Sequence, residues 1–300
     1  MDTSDPLVLD FGGDMYVPVG KMGCFPLSLP TVHGEPLLLV GRLGEGLTSV
    51  VYRGRMAGKT VAVKRANEGD TKTTQLADDF RGEGALLTRI HEAAKGTDME
   101  GIVSKGIPRY LGTIDGDEWS FVLTPVGTPV FSEAKTIARQ PMPAKAIVDL
   151  VALLRFLHTT VGVCHLDLSV TNLIFADQRD DEDEPLRNDD VPITVIDWGF
   201  ARPVGAKWDS GAISYLPKAL LDQDEASPVH DLVILVRSWF LASHPALDDS
   251  RKRREEREAF WAPILESNAE WANGWRHAQD LALALNYDEL GPLLQSLVAN

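Results

Sequence analysis

The chain has little cysteine, no apolar run long enough to cross a bilayer and no surplus of basic charge. Its two cysteines, Cys24 and Cys164, lie far apart in 300 residues and lack metal-ligand spacing. That argues against a disulfide framework and fits a reducing compartment. No uninterrupted apolar segment approaches the roughly 18 residues of a membrane-spanning helix. The first residues, MDTSDPLVLDFGGD, lack the basic start and apolar core of a secretory signal. A soluble, intracellular protein of the cytoplasm is therefore expected, and nothing in the sequence bars it from the nucleus. Forty-four acidic residues against 29 basic ones leave a formal charge of −15, a field that repels nucleic acid and anionic membranes. The remaining composition, 44% apolar and 24% charged, suits one large or two modest globular domains with a sizeable core.

Residues 1–36 are rich in Gly and Pro and carry no helical period, so they read as an extended N-terminal arm, with room for a short strand. From residue 37 the pattern turns to strands. PLLLVGRL, TSVVYRG and KTVAVKRA are β-branched or apolar runs separated by glycine-containing turns, an antiparallel meander. Leu76, Phe80, Leu87 and Ile90 then mark an amphipathic helix that Gly96 can stop. The runs IPRYLGTI and EWSFVLTPV follow as strands. Beyond Pro143 the text is mainly helical: AKAIVDLVALLRFLHTT is amphipathic, VHDLVILVRSWFLAS is apolar on nearly every side, and AEWANGWRHAQDLALAL and YDELGPLLQSLV complete the set. The fold class is α+β, β-rich to about residue 126 and α-rich afterwards. The acidic stretch 177–190 reads as an exposed loop between strands, and RKRREERE (251–258) as a solvated helix face.

Several polar residues sit where this pattern does not call for them. Gly44 and Gly46 lie between two strands, with Ser49 as a third small residue; backbone without Cβ can approach a polyphosphate and offer N–H groups to it. An ordinary glycine-containing hairpin has the same look. Lys64 falls inside an apolar strand, where an ammonium needs an anion or carries a heavy desolvation cost. Glu83, 19 residues on and on the face of Leu87, can supply that anion. His165, Asp167 and Asn172 occupy a loop between a helix and the strand NLIF. Asp197 follows the strand ITVI, with Gly199 available for a sharp turn. An Asp so placed can accept or orient a hydroxyl proton, and Asn and Asp oxygens suit Mg²⁺. Each residue taken singly also fits a well-made turn.

Taken in order, GEGLTSVV, VAVK, Glu83, HLDLSVTN and DWG resemble the motif set of the eukaryotic protein kinases, over residues 37–300. The resemblance implies a bilobal protein kinase-like fold, with a β-rich N-lobe at 37–126 and a helical C-lobe at 127–300. It implies ATP and Mg²⁺ as cofactors. Lys64, steadied by Glu83, would hold the α- and β-phosphates under the loop of Gly44, Gly46 and Ser49. Asp167 would be the catalytic carboxylate, and Asn172 and Asp197 would hold the metal. Val51 and Ala62 would face the adenine, Thr124 and Val126 would bind its edge through the hinge backbone, and Leu123 would be the gatekeeper. Leu87, His165 and Trp198 match an apolar spine, and Asp231 matches the carboxylate that anchors the catalytic loop. The implied activity is transfer of the ATP γ-phosphate to Ser or Thr of a protein or peptide.

The chain departs from that pattern in places. Leu166 replaces the Arg that receives an activation-loop phosphate, so the usual partner for phosphorylation is missing and no strict need for it is expected. Ser169 stands in place of a Lys that contacts the γ-phosphate, as in atypical families such as the RIO kinases. Ala212 replaces a Thr, Lys218 falls near an expected Glu, and Asp167 and Asp197 stand 30 residues apart. A longer loop between strands costs little. Two other functions share the motifs: a pseudokinase serving as a binding or scaffold module, and a small-molecule kinase of the aminoglycoside or choline type.

Overall fold

The computed structural model describes residues 29–46, 49–67, 74–131, 143, 145–176, 191–208, 215–244, 267 and 270–299. Readings of residues 1–28, 177–190 and 251–258, of Cys24 and Ala212, and of the side chains of Leu76, Phe80 and Lys218 lie outside the described residues.

Strands β1 (Thr31–Val32), β2 (Glu35–Glu45), β3 (Ser49–Met56), β4 (Lys59–Ala66), β5 (Arg109–Ile114) and β6 (Asp117–Thr124) form one sheet in the order β1-β2-β3-β4-β6-β5. All neighbours are antiparallel. Short turns make this possible. His33 and Gly34 between β1 and β2, and Ala57 and Gly58 between β3 and β4, take positive φ at both central positions, the geometry that matches the twist of a two-residue hairpin. Asp115 ties the first hairpin down by accepting hydrogen bonds from the Thr31 hydroxyl and the His33 and Gly34 N–H groups.

Alternation along β4 sends Val61 and Val63 into a cluster with Val32, Leu37, Ile114 and Val122, while Ala62, Lys64 and Ala66 face the other side. Helix α1 (Thr74–Ala94) packs there through Glu83, Leu87, Ile90 and Ala94, spaced four, three and four residues apart and all buried. Gly84 lets it come close. A Cβ at that position would stand 2.7 Å from the Tyr110 ring. Gly82, one residue before Glu83, has open space around it.

The rest of the chain adds short elements to the main sheet and helices. A short helix α2 (Glu100–Gly106), unmarked by any long apolar period, lies between α1 and β5. Short strands continue after the sheet: β7 (Gly127–Pro129), β8 (Val163–Cys164), β9 (Leu173–Ala176), β10 (Ile193–Val195) and β11 (Arg202–Pro203). Helices α3 (Ala146–Phe156), α4 (Lys218–Leu221), α5 (Pro228–Ser243), α6 (Glu270–Leu283) and α7 (Tyr287–Ala299) surround them. Helix α5 begins at a Ser227 capping box with Pro228 in its first turn and is buried without a break from His230 to Phe240. One apolar cluster joins α1 and β6 to α3 and α5. No helix of the described residues is long and apolar enough to cross a membrane.

The two glycines flanking Glu83 should respond in opposite directions to the same change. Gly82→Ala, with open space, should raise stability by about 1 kcal/mol through helix propensity. Gly84→Ala has the same propensity gain but must displace Tyr110, and a net loss of about 1 kcal/mol is expected. Urea unfolding midpoints check both.

Candidate active site

Cross-strand register builds the first part of the site. Val51 pairs with Lys64, Lys64 with Phe121, and Ala62 with Leu123. Directly opposed residues share a face, so Val51, Ala62, Lys64 and Leu123 line the α1 side of the sheet. The Lys64 ammonium there is 2.7 Å from Glu83 Oε2 and 2.7 Å from Asp197 Oδ1. One cation thus joins β4, α1 and the loop after β10. Glu83 also accepts the Trp198 N–H through its other oxygen, at 3.3 Å. Burial alone would lower the Lys64 pKa, but the two carboxylates more than offset it and hold it above its ordinary value. Burial pushes Glu83 up, its side chain being only 2% exposed. Asp197, with a side chain 41% exposed, is held below the usual carboxylate range by the ammonium, against the effect of its own burial.

The second part is the loop His165–Asn172. Asn172 donates its amide N–H groups to the Asp167 carbonyl and to Asp167 Oδ2, both at 2.8 Å. That orientation turns the Asn172 amide oxygen away from Asp167. Asp167 is raised to about 7 by burial and by the charge of Asp197. The Asp167 N–H donates to His165 Nδ1, while His165 Nε2 lies 3.1 Å from the Ile196 carbonyl. One neutral tautomer, with the proton on Nε2, satisfies both bonds, in line with the burial that lowers the His165 pKa. Its ring meets Trp198 edge-on at 4.7 Å. Leu87, His165 and Trp198 are all buried, as a spine requires.

Beneath this loop lies a fully buried carboxylate. Asp231, in the first turn of α5, accepts the His165 N–H and the Leu166 N–H at 2.7 Å each, and lies 2.9 Å from His158 Nε2. His158 Nδ1 is 2.7 Å from the Tyr287 hydroxyl. Leu166 takes φ +63°, a left-handed conformation costing about 1–2 kcal/mol outside glycine, and Asp231 holds it there. A π turn, Leu157–Val161, ends α3 at Gly162 (φ +72°) and contains His158. His158, Cys164 and Asp231 lie within 4.8 Å of one another. His158 and Asp231 are committed to hydrogen bonds, and burial holds the Cys164 thiol well above its ordinary range.

Most sequence-derived residues come together. Lys64, Glu83 and Asp197 meet directly; Asp167 and Asn172 meet each other, and the backbone Ile196 N–H, bonded to the Asn172 carbonyl, joins that pair to Asp197. Gly44 and Gly46 sit at the β2–β3 turn, with Gly46 N–H bonded to the carbonyl of buried Ser49. Thr124 ends β6 and Val126 follows it, buried. One expectation needs correction. The turn after β10 is made at Asp197, with φ +64°, and Gly199 has no positive φ; Asp is among the residues that tolerate this region. His158 and Tyr287 were not singled out from sequence, because a histidine in a helix and a tyrosine far along the chain carry no spacing signal.

No protein-family model matches the chain, and no curated protein matches its sequence. Its structure does find a match. A solved structure of vaccinia related kinase 3 superposes with a TM-score of 0.64, covering 93% of this chain and 92% of that one at 13% identity. It is one of 1417 solved chains that match, so the likeness is to a widely used architecture. The chain has the protein kinase fold.

Removing the central cation tests the triad. Lys64→Met leaves the Glu83 carboxylate buried without its ammonium and should cost about 3–5 kcal/mol. Adding Glu83→Gln should recover most of that loss. Chemical denaturation of the three variants reads the coupling; simple additivity of the two single changes would contradict it.

Proposed function

We propose that the chain is an ATP- and Mg²⁺-dependent phosphotransferase, a protein serine/threonine kinase acting on a protein or peptide hydroxyl. The observation that carries this reading is the single ammonium of Lys64 shared by Glu83 and Asp197 next to the Asp167–Asn172 pair. Phosphoryl transfer asks a protein mainly for positioning and charge stabilisation, and these groups supply both.

Lys64 would turn its ammonium to the α- and β-phosphates while Glu83 keeps it in place. Neither Gly44 nor Gly46 takes a positive φ, and a Cβ added at either would meet no atom closer than 3.7 Å. Packing therefore does not require glycine there; close approach of a polyphosphate to the backbone would. The Asn172 amide oxygen and the Asp197 carboxylate are hard donors, the kind Mg²⁺ selects. Held by these two residues, Mg²⁺ would supply positive charge to offset that of the phosphates. Asp167 would orient the substrate hydroxyl and take its proton. Ala62, Val51 and Leu123 would supply an apolar wall for adenine, with the Thr124 carbonyl and the Val126 N–H at its edge.

A second reading, a binding module with little turnover, is favoured by one observation. Ser169, at the position of the family's Lys, is buried and its hydroxyl lies 2.6 Å from that of Thr171, so position 169 brings no cation to Asp167. Turnover decides between them. Asp167→Asn should lower ATP-dependent phosphorylation of generic protein substrates by about 10³-fold or more with nucleotide affinity near the parent's. Equal activity in the two would favour the binding module. Asp197→Ala should abolish the Mg²⁺-dependent part of the ATP-induced thermal shift; a shift that survives would reject this metal assignment.

A further inference from the structure

The segment that follows Asp197 is held by contacts that need no phosphate. Arg202 and Pro203 of β11 pair with Cys164 and Val163 of β8, immediately before the catalytic loop. The Val204 N–H donates to Gly162 O at 3.0 Å. The next residues zip against the chain leading into α5. Gly205 N–H donates to Ala226 O and Ala226 N–H to Ala206 O, each at 2.8 Å, and the backbones of Lys207 and Glu225 pair as an antiparallel bridge. Trp208 closes the series. Its backbone N–H donates to Asp224 O and its indole N–H to Gln223 O, both at 3.1 Å.

The indole also fills a space. It packs on a small apolar cluster of Cys164, Leu166 and Ala226, all buried, and lies 4.8 Å from the His230 ring. Leu166 occupies the position where the kinase pattern carries a phosphate-binding Arg. It is fully buried, and its N–H is one of the two held by Asp231. Trp208 therefore rests on the cluster that includes the residue next to Asp167.

We infer that Trp208 is a positioning residue: with Leu166 it forms an apolar clasp that joins residues 202–208 to residues 223–226 and seats both on the catalytic loop, doing constitutively what a phosphate–arginine contact would do on demand. This regulation rests on the phosphotransferase reading. Hydrogen bonds and apolar burial do not depend on a modification, so the clasp forms as the chain folds. It gives the site a single, unswitched state.

The test has two arms, the first independent of turnover. In full-length, phosphatase-treated protein, the Trp208 and Ala226 amides should be protected from hydrogen exchange. Trp208→Ala should raise their exchange at least tenfold while the α5 core amides stay slow. Trp208→Phe, which keeps a ring but loses the indole N–H, should fall between. Equal exchange in parent and Trp208→Ala overturns the clasp, whether or not the protein transfers phosphate. The second arm applies to a protein that shows turnover, with active sites counted by ADP binding. Phosphatase treatment should leave kcat within about twofold, and Trp208→Ala should lower kcat about tenfold with KM for ATP within about twofold. A tenfold loss on phosphatase treatment of the parent overturns the inference. So does a Trp208→Ala variant whose kcat matches the parent's.

Discussion

An ammonium placed inside an apolar sheet face cannot be left alone, and the architecture around the cleft follows from how Lys64 is compensated. Its two carboxylate partners come from 19 and 133 residues further along the chain. Satisfying them requires α1 to lie flat on the sheet and the chain after β10 to return beneath it. Gly84 makes the first possible by admitting the Tyr110 ring, and the left-handed turn at Asp197 makes the second possible. One ammonium thus faces two carboxylates, with the Asp167–Asn172 pair close by.

Asp231 does for the loop His165–Asn172 what Lys64 does for the meeting of β4, α1 and the Asp197 turn. It satisfies two successive backbone N–H groups and a histidine from a site with no exposure to water. A loop with a leucine at positive φ would otherwise relax. The support extends outward through His158 to Tyr287 at the start of α7, so the last helix of the chain contributes to the geometry at Asp167 without coming near it.

The sequence revealed some of this more readily than the rest. Hydrophobic period marked β4, α1 and α5 closely, because each has one consistent environment: alternating faces, a single stripe, or burial on all sides. The site motifs were readable since a lysine in a strand and an Asp–Asn pair five apart are costly without a purpose. Helix α2 and strands β7, β8 and β11 were not, being too short for a period to declare itself, whereas β9 and β10 were marked as apolar runs beside the site residues. Gly199 was credited with the turn that Asp197 makes, because glycine is the usual occupant of positive φ and the hydrogen-bonded alternatives cannot be seen in one dimension. Trp208 and His158 act through contacts with residues far away in sequence, and nothing in their own neighbourhoods announces it.

The antiparallel ladder of β9 and β10 has a consequence for how this chain could be rebuilt. Leu173 pairs with Val195, and the Ile196 N–H bonds to Asn172 O, so Asn172 and Asp197 are registered by the strands themselves and not by whatever connects their far ends. The covalent link across 177–190 is then dispensable for that registration. Two separately synthesised pieces, split within that stretch, could meet along the ladder and reconstitute the pair, which makes this the natural place to open the chain or to insert a reporter.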